Sequence, residues 1–281
     1  MAEGTNLPVI PGSRADDLHG LEYIDEHDLC LFMAGNQFMV MEELLAAFRS
    51  QNPGIKRIVY ETLPPGLELK QILTGGAVFR NRRLDLQPDV YASVNIGSMQ
   101  KLAQAGHIDP GGHRLYLHNR LAIMVPEGNP AGIRTVNDLG KDNVRISQPD
   151  PDNEDIAFHI IDMYREAGGP ELAEKIMETK RAEGTTIFTR VHHRETPLRI
   201  AKKTVDAGPV WATEVAFARS RGLACRQVDP GPGLDQRDRI NYYVCRLKKA
   251  PHPDAARRFI DFILSDTAGE IYRRYGFLPH R

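Results

Sequence analysis

Three short segments of this 281-residue chain combine residue types suited to holding a small anion. Gly35-Asn36-Gln37 stands between an apolar run and a helical pattern. Pro149-Asp150-Pro151-Asp152-Asn153-Glu154 and His192-His193-Arg194-Glu195-Thr196-Pro197 each stand before a further helical pattern. A helix start leaves backbone N–H groups unused by the helix itself, and the macrodipole makes that end attractive to negative charge. Asn36 and Gln37 add side-chain amides, Thr196 a hydroxyl, and Arg194 a planar guanidinium that can grip a carboxylate or oxyanion through two bonds. Pro197 suits a first helical turn, where its missing N–H has no partner to lose. Each feature also has a plainer reading. Arg194 and Glu195 can pair on a surface, Trp211 can fill a core, and Arg80, Arg82 and Arg83 read as a solvated charge run. His192 and His193 point apart on an extended segment and no third ligand is spaced nearby, so no metal site is expected.

Catalytic signatures are missing. There is no G-x-S-x-G elbow, no H-E-x-x-H pair, and no G-K following Gly75-Gly76 at phosphate-loop spacing. The reading is therefore of a protein that binds without catalysis and without a cofactor.

Alternating strands and helices must position these groups. Leu29–Ala34 reads as a buried strand, followed by the Gly35 turn and a helix carrying Phe38, Met41, Leu44, Leu45 and Phe48. Asn52-Pro53-Gly54 ends that helix before a strand at 57–60. Asp89–Ser93 is a third strand, running into a helix that stops at Gly106. Leu115–Val125 is too long for one ordinary strand; it either continues the first sheet or crosses to a second lobe. Beyond it lie a strand at 144–147, a helix at 154–167, a strand at 209–213 leading into a helix, a strand at 240–247 and a helix over 254–275. Such alternation implies right-handed crossovers and a mostly parallel sheet. The expected domains are a loosely ordered arm over 1–26, lobe I from 27–118 with 243–281, and lobe II from 119–242. A ligand cleft would lie at the carboxyl ends of the strands.

Composition narrows the partners. A net charge of −1 argues against a nucleic-acid or anionic-membrane face, and no apolar run is long enough to span a bilayer. The first residues lack a basic and apolar leader, which fits either a cytoplasmic chain or a mature exported one. Cys30 reads as a small buried hydrophobe, while Cys225 and Cys245 are available for a disulfide in an exported protein.

The stretch Asp89-Val90-Tyr91-Ala92-Ser93-Val94-Asn95-Ile96-Gly97-Ser98-Met99-Gln100-Lys101-Leu102-Ala103-Gln104-Ala105-Gly106-His107-Ile108 resembles a strand and helix of molybdate/tungstate-type periplasmic solute-binding proteins. Residues 30–48, Ala207–Glu214 and Ile271–Phe277 support the likeness in the same order, so it covers nearly everything after residue 28. It implies a two-lobed type II periplasmic-binding-protein fold that closes about an anion for delivery to the membrane subunits of an ABC importer. The chain would then be a periplasmic or otherwise extracytoplasmic monomer that does not insert into the membrane. The resemblance also implies a ligand set: Gly35, Asn36, Gln37, Pro65, Gly66, Ser93, Asn95, His193, Arg194, Glu195, Thr196, Trp211 and Thr213. The chain departs from the family pattern at Asn36, where a serine is usual, and at Pro64-Pro65-Gly66, where a serine pair precedes the glycine. Proline donates neither an N–H nor an O–H, so molybdate loses donors there. A longer loop at 76–88 and Trp211 in place of a tyrosine are further departures, and a small organic acid becomes the competing ligand. Two other readings use the same elements, a cytoplasmic anion-sensing effector-binding domain and an enzyme. No helix-turn-helix precedes residue 29, and no acid/base group is concentrated, which weighs against each in turn.

Overall fold

The computed structural model describes residues 7–152, 154–191 and 194–280. The chain forms two compact units, one reaching His118 and resuming at Asn241, the other spanning Asn119–Ile240.

The first unit is built on a seven-stranded sheet. Within it the fully buried strand Leu29–Phe32 is hydrogen-bonded in parallel to Ile58–Glu61 on one side and, on the other, to Val90–Ser93, the middle strand of the seven. Runs this apolar need cover on both faces, as parallel strands joined by helices have. Val90–Ser93 then pairs antiparallel with Asn241–Arg246, which returns from the second unit, and His113–His118 and Leu278–Pro279 complete that side. Helices Phe38–Gln51, Pro65–Thr74 and Ile96–Gln104 follow the three parallel strands. Tyr91, Phe32, Val59, Met99, Leu102 and Cys245 share one buried cluster.

Four expectations are corrected in this unit. The sheet is not mostly parallel, because the returning strand and both ends of the chain pair antiparallel with it. Among the described residues of the expected arm, from residue 7 on, the segment is docked rather than loose. Val9–Ile10 pairs in parallel with Val78–Phe79, and Leu18–His19 adds an antiparallel edge strand beside Tyr60 and Glu61. Ile10 and Leu18 pack with Leu63, Ala77, Phe79 and Leu84, so sparse apolar residues in a polar stretch sufficed to dock it. The 76–88 stretch is a hairpin, Ala77–Phe79 against Arg82–Leu84, rather than a loop. Arg80 and Asn81 turn it with φ of 47° and 63°, the left-handed geometry of tight hairpins. The expected single helix over 254–275 is two, Pro253–Ile263 and Asp266–Arg274, because Ser265 caps the second by accepting the Ala268 N–H.

In the second unit Leu121–Pro126 is the middle strand of an antiparallel trio with Gly208–Trp211 and Cys225–Val228. Ile146–Gln148 and Thr186–Phe188 form a parallel pair, joined to the trio by one parallel bridge from Ile146 to Ala207. The long 115–125 stretch is thus two strands, one in each unit, parted at Asn119-Arg120. The helix expected over 154–167 runs Ile156–Glu174, kinked at Gly168 and Gly169, the latter at φ 76°. Gly208 is required by packing: a Cβ there would lie 2.4 Å from Thr196 Cγ2 and 2.9 Å from the Ser147 carbonyl oxygen. Cys30, Cys225 and Cys245 are free and buried, so the disulfide considered from the sequence is not formed.

Glu61 ends the second parallel strand with no solvent exposure. Burial raises its carboxyl to about 8 from the ordinary 4.5, against the lowering effect of the Gln71 amide that donates to it at 2.8 Å. The folded chain thus keeps this proton through neutrality while the unfolded chain releases it near 4.5. Stability from this group is complete below pH 4.5 and falls as pH rises toward 8, by several kcal/mol in all. Glu61→Gln keeps an acceptor for Gln71, replaces the acid O–H by an amide N–H donor and removes the titration. Its thermal midpoint should match the wild type near pH 5 and exceed it near pH 8, as read by differential scanning calorimetry.

Candidate functional site

In the first unit the expected turn lies where a helix start meets the end of a buried strand. Gly35–Gln37 makes a single tight turn with the Gln37 N–H bonded to the Ala34 carbonyl, and helix Phe38–Gln51 follows directly. Both amides are inside: Asn36 is 3 % exposed and Gln37 not at all. Gln37 Nε2 donates to Tyr116 Oη at 2.7 Å, and Tyr272 Oη donates to Gln37 Oε1 at 3.0 Å. Burial raises both tyrosine hydroxyls well above their ordinary value, so they stay neutral. Asn36 Nδ2 donates to Tyr242 Oη, while Asn36 Oδ1 is buried without a hydrogen-bond partner among the described residues.

The neighbouring strand ends contribute less. Pro64 and Pro65 begin helix Pro65–Thr74, with Pro65 in its first turn and its carbonyl accepting from Tyr91 Oη at 2.8 Å. Gly66, exposed, supplies the first amide that proline does not block. Ser93 Oγ, buried, accepts the Asn95 N–H at 3.1 Å, and Asn95 Oδ1 caps the next helix by accepting from Gly97 at 2.7 Å. These two residues therefore hold the turn, and Asn95 is exposed.

In the second unit the helix after the parallel pair is Glu195–Ala201, with Arg194 at its N-cap, part-buried. Glu195 Oε2 accepts the N–H groups of Arg190 and of Val191, the latter at 2.9 Å, and so closes the preceding loop. Thr196 Oγ1 lies 2.8 Å from Ser147 Oγ, both buried. Arg199 braces this hydroxyl pair: its guanidinium donates to Ser147 Oγ at 3.0 Å and to the carbonyls of Ile187 at 2.8 Å and Phe188 at 3.0 Å. Trp211 is 2 % exposed, packed in the unit's interior with the His159 ring 6.0 Å away. Thr213, fully buried, accepts from Asn119 Nδ2 at 3.1 Å. His193 lies outside the described residues.

Sequence reasoning did not single out Tyr116, Tyr242, Tyr272, Ser147, Arg199 or Asn119. The tyrosines fill inward positions of strands and a helix, where size and hydroxyl look like ordinary core. Arg199 sits one helical turn after Glu195, a spacing that reads as a surface ion pair.

Burial also sets the charge of several acidic groups in each unit. Glu61 and Glu214 are each raised to about 8 by burial, and Glu68 is raised well above its ordinary value by burial beside Glu61. Near neutrality these carboxyls hold their protons, each within its own unit.

Because Gln37 joins two tyrosines, Gln37→Leu should remove two buried hydrogen bonds and cost about 1–3 kcal/mol in all. Chemical denaturation should show the loss. Asn36→Ala removes one such bond, and its stability loss should be smaller.

No curated protein sequence matches the chain. The fold matches the periplasmic molybdate-binding protein of Azotobacter vinelandii with a TM-score of 0.70 at 16 % identity, over 90 % of this chain and 100 % of that one. The sulfate-binding protein SubI of Mycobacterium tuberculosis matches at TM-score 0.70 and 16 % identity, over 89 % and 86 %. PEB3 with bound L-phospholactate, a Campylobacter jejuni protein, matches at 0.61 and 14 %, over 90 % and 100 %. These likenesses establish the type II periplasmic-binding-protein fold, and residues 29–278 match one sequence family, so the chain belongs to the bacterial extracellular solute-binding proteins.

Proposed function

We propose that this protein captures a small anion in the periplasm and delivers it, as a monomer, to the membrane subunits of an ABC importer. We further propose that the anion is a carboxylate-bearing organic acid rather than molybdate. Three observations support an anion of some kind. Both units place helix starts and neutral hydrogen-bonding side chains at strand ends. The nearby carboxyls are held neutral by burial. The fold neighbours include proteins described as binding molybdate, sulfate and L-phospholactate.

The observation that carries the choice of ligand is Asn36 Oδ1, a buried acceptor without a partner among the described residues. An unmatched acceptor costs about 1–3 kcal/mol, which a ligand O–H would recover. A fully ionised tetrahedral oxyanion has no proton to give it; a hydroxy acid does. Pro64 and Pro65 point the same way, since they remove donors from the start of helix Pro65–Thr74. Arg194, at the N-cap of its helix, is assigned the carboxylate. No helix among the described residues is long and apolar enough to cross a membrane, which fits a subunit that meets its importer from outside.

Calorimetric titration with molybdate, tungstate, sulfate and a panel of small 2-hydroxy and 2-oxo carboxylates tests the choice. A carboxylate should bind most tightly. Submicromolar molybdate affinity that no carboxylate competes away would refute it. Arg194→Ala should weaken the preferred ligand by about 1.5–3 kcal/mol, the range for hydrogen bonds to charged groups. Unchanged affinity would return Arg194 to loop pairing.

A further inference from the structure

The opposite edge of the first unit's sheet carries a second constellation that the solute-binding reading leaves unused. His27 precedes the strand Leu29–Phe32, Asp89 precedes Val90–Ser93, and His252 follows the antiparallel strand Asn241–Arg246. All three therefore stand at the amino end of the parallel strands, whereas Gly35–Gln37 and Ser93 stand at the carboxyl end. One ligating atom from each lies within 4.8 Å of the other two.

We propose that His27, Asp89 and His252 bind a divalent transition-metal ion of the zinc class. Four features of the geometry carry this. First, the tautomer of His27 is set. Its Nδ1 lies 3.1 Å from the Ile24 carbonyl oxygen, which can only accept, so the ring proton sits there and Nε2 carries a lone pair. A backbone carbonyl holding the far nitrogen is the usual support of a metal-binding imidazole. Second, His27 Nε2 is buried and has no hydrogen-bond partner among the described residues. An imidazole lone pair shut away from water and left unmatched is costly unless something occupies it.

Third, Asp89 is a fully buried carboxylate whose ion-pair partner among the described residues is His252, 3.1 Å away at Nδ1. It is held from behind: Oδ2 accepts the Cys30 N–H at 2.7 Å and Oδ1 the His252 backbone N–H at 2.6 Å. Those bonds orient Oδ2 and leave it one lone-pair direction, now taken by the His252 ring. Fourth, the His252 side chain is one-third exposed, so Nδ1 can give up its proton and the ring can carry it on Nε2 instead. Ligand atoms around a tetrahedral zinc stand about 3.3 Å apart, from bonds of about 2.0–2.1 Å. The Asp89–His252 pair already has that spacing, and the His27 ring, packed edge-on to His252 with centroids 5.0 Å apart, completes a three-ligand face. Two imidazoles and one carboxylate favour zinc, copper or nickel over magnesium or calcium, which prefer all-oxygen shells.

Such an ion ties three segments remote in sequence: the approach to the first strand, the approach to the third, and the loop that leads the returning chain into its C-terminal helices. It is a staple for the first unit, at the edge away from the solute-binding turns.

The test uses the full chain, dialysed against a chelator and then titrated calorimetrically with zinc. One saturating site per chain is expected, with a rise in the thermal midpoint that EDTA reverses. His27→Gln and His252→Gln should each weaken that site roughly a hundredfold, whereas His118→Gln, in the separate His118–His280 pair, should leave it intact. X-ray absorption on the zinc-loaded wild type gives a readout independent of variant folding and should count two imidazole ligands. Absence of stoichiometric zinc uptake, survival of the site in the His27→Gln/His252→Gln double variant, or a shell with fewer than two imidazoles would overturn the proposal.

Discussion

The first unit depends on a set of buried amide–tyrosine hydrogen bonds under the Gly35 turn. Gln37 links Tyr116 on one strand to Tyr272 on the last helix, and Asn36 reaches Tyr242 on the strand that returns from the second unit. The rings pack as well: Tyr116 lies 6.4 Å from Tyr242 and 6.1 Å from Tyr272, both edge-on, and Phe277 closes the group against Tyr242 and Tyr272. In a dry interior an unmatched amide or hydroxyl is expensive, so the two amides and three hydroxyls constrain one another to a single arrangement. The consequence reaches the backbone. A turn whose side chains are fixed from below has its N–H groups held in place as well, the preorganisation that the proposed binding role would use.

The same economy of charge is visible in how acidic groups are placed. Carboxyls near the strand ends are buried deeply enough to stay protonated near neutrality, so the helix starts beside them keep their positive potential. Arg199 does comparable work in the second unit. Its guanidinium is satisfied by two carbonyls, a hydroxyl and the Glu195 carboxylate, and it braces the Ser147–Thr196 hydroxyl pair. The two edges of the first unit's sheet thereby differ in chemistry. One offers backbone N–H groups and neutral side chains; the other holds an ionisable cluster around the buried Asp89.

Much of this plan was legible in the residues alone, and for a common reason. Leu29–Phe32, helix Phe38–Gln51 and the strand–helix unit at 90–104 announce themselves because burial of neighbouring side chains imposes a period over a few residues. The turn at Gly35 followed from the junction of two such patterns. Family membership was legible too, because four short motifs kept their order along the chain and the match extends over residues 29–278. The N-terminal segment and the hairpin at 77–84 were not. Their stability comes from pairing with each other, Val9–Ile10 against Val78–Phe79, and neither partner is periodic enough to predict the other.

What the sequence determined by itself is thus the set of local elements, their alternation, and the residue types at each strand end. Only the tertiary structure decided which of those groups remain available. Gln37 and Asn36 are equivalent amides to a sequence reading, yet one is bonded at both ends and the other keeps an oxygen unmatched among the described residues, because Tyr116 and Tyr272 flank the first and Tyr242 meets the nitrogen of the second. Likewise His27, Asp89 and His252 are separated by 62 and 163 residues, and no spacing rule can join them. They meet because parallel strands begin at one edge of a sheet and an antiparallel strand ends there. That juxtaposition belongs to chain direction within the sheet, a property no local window of sequence contains.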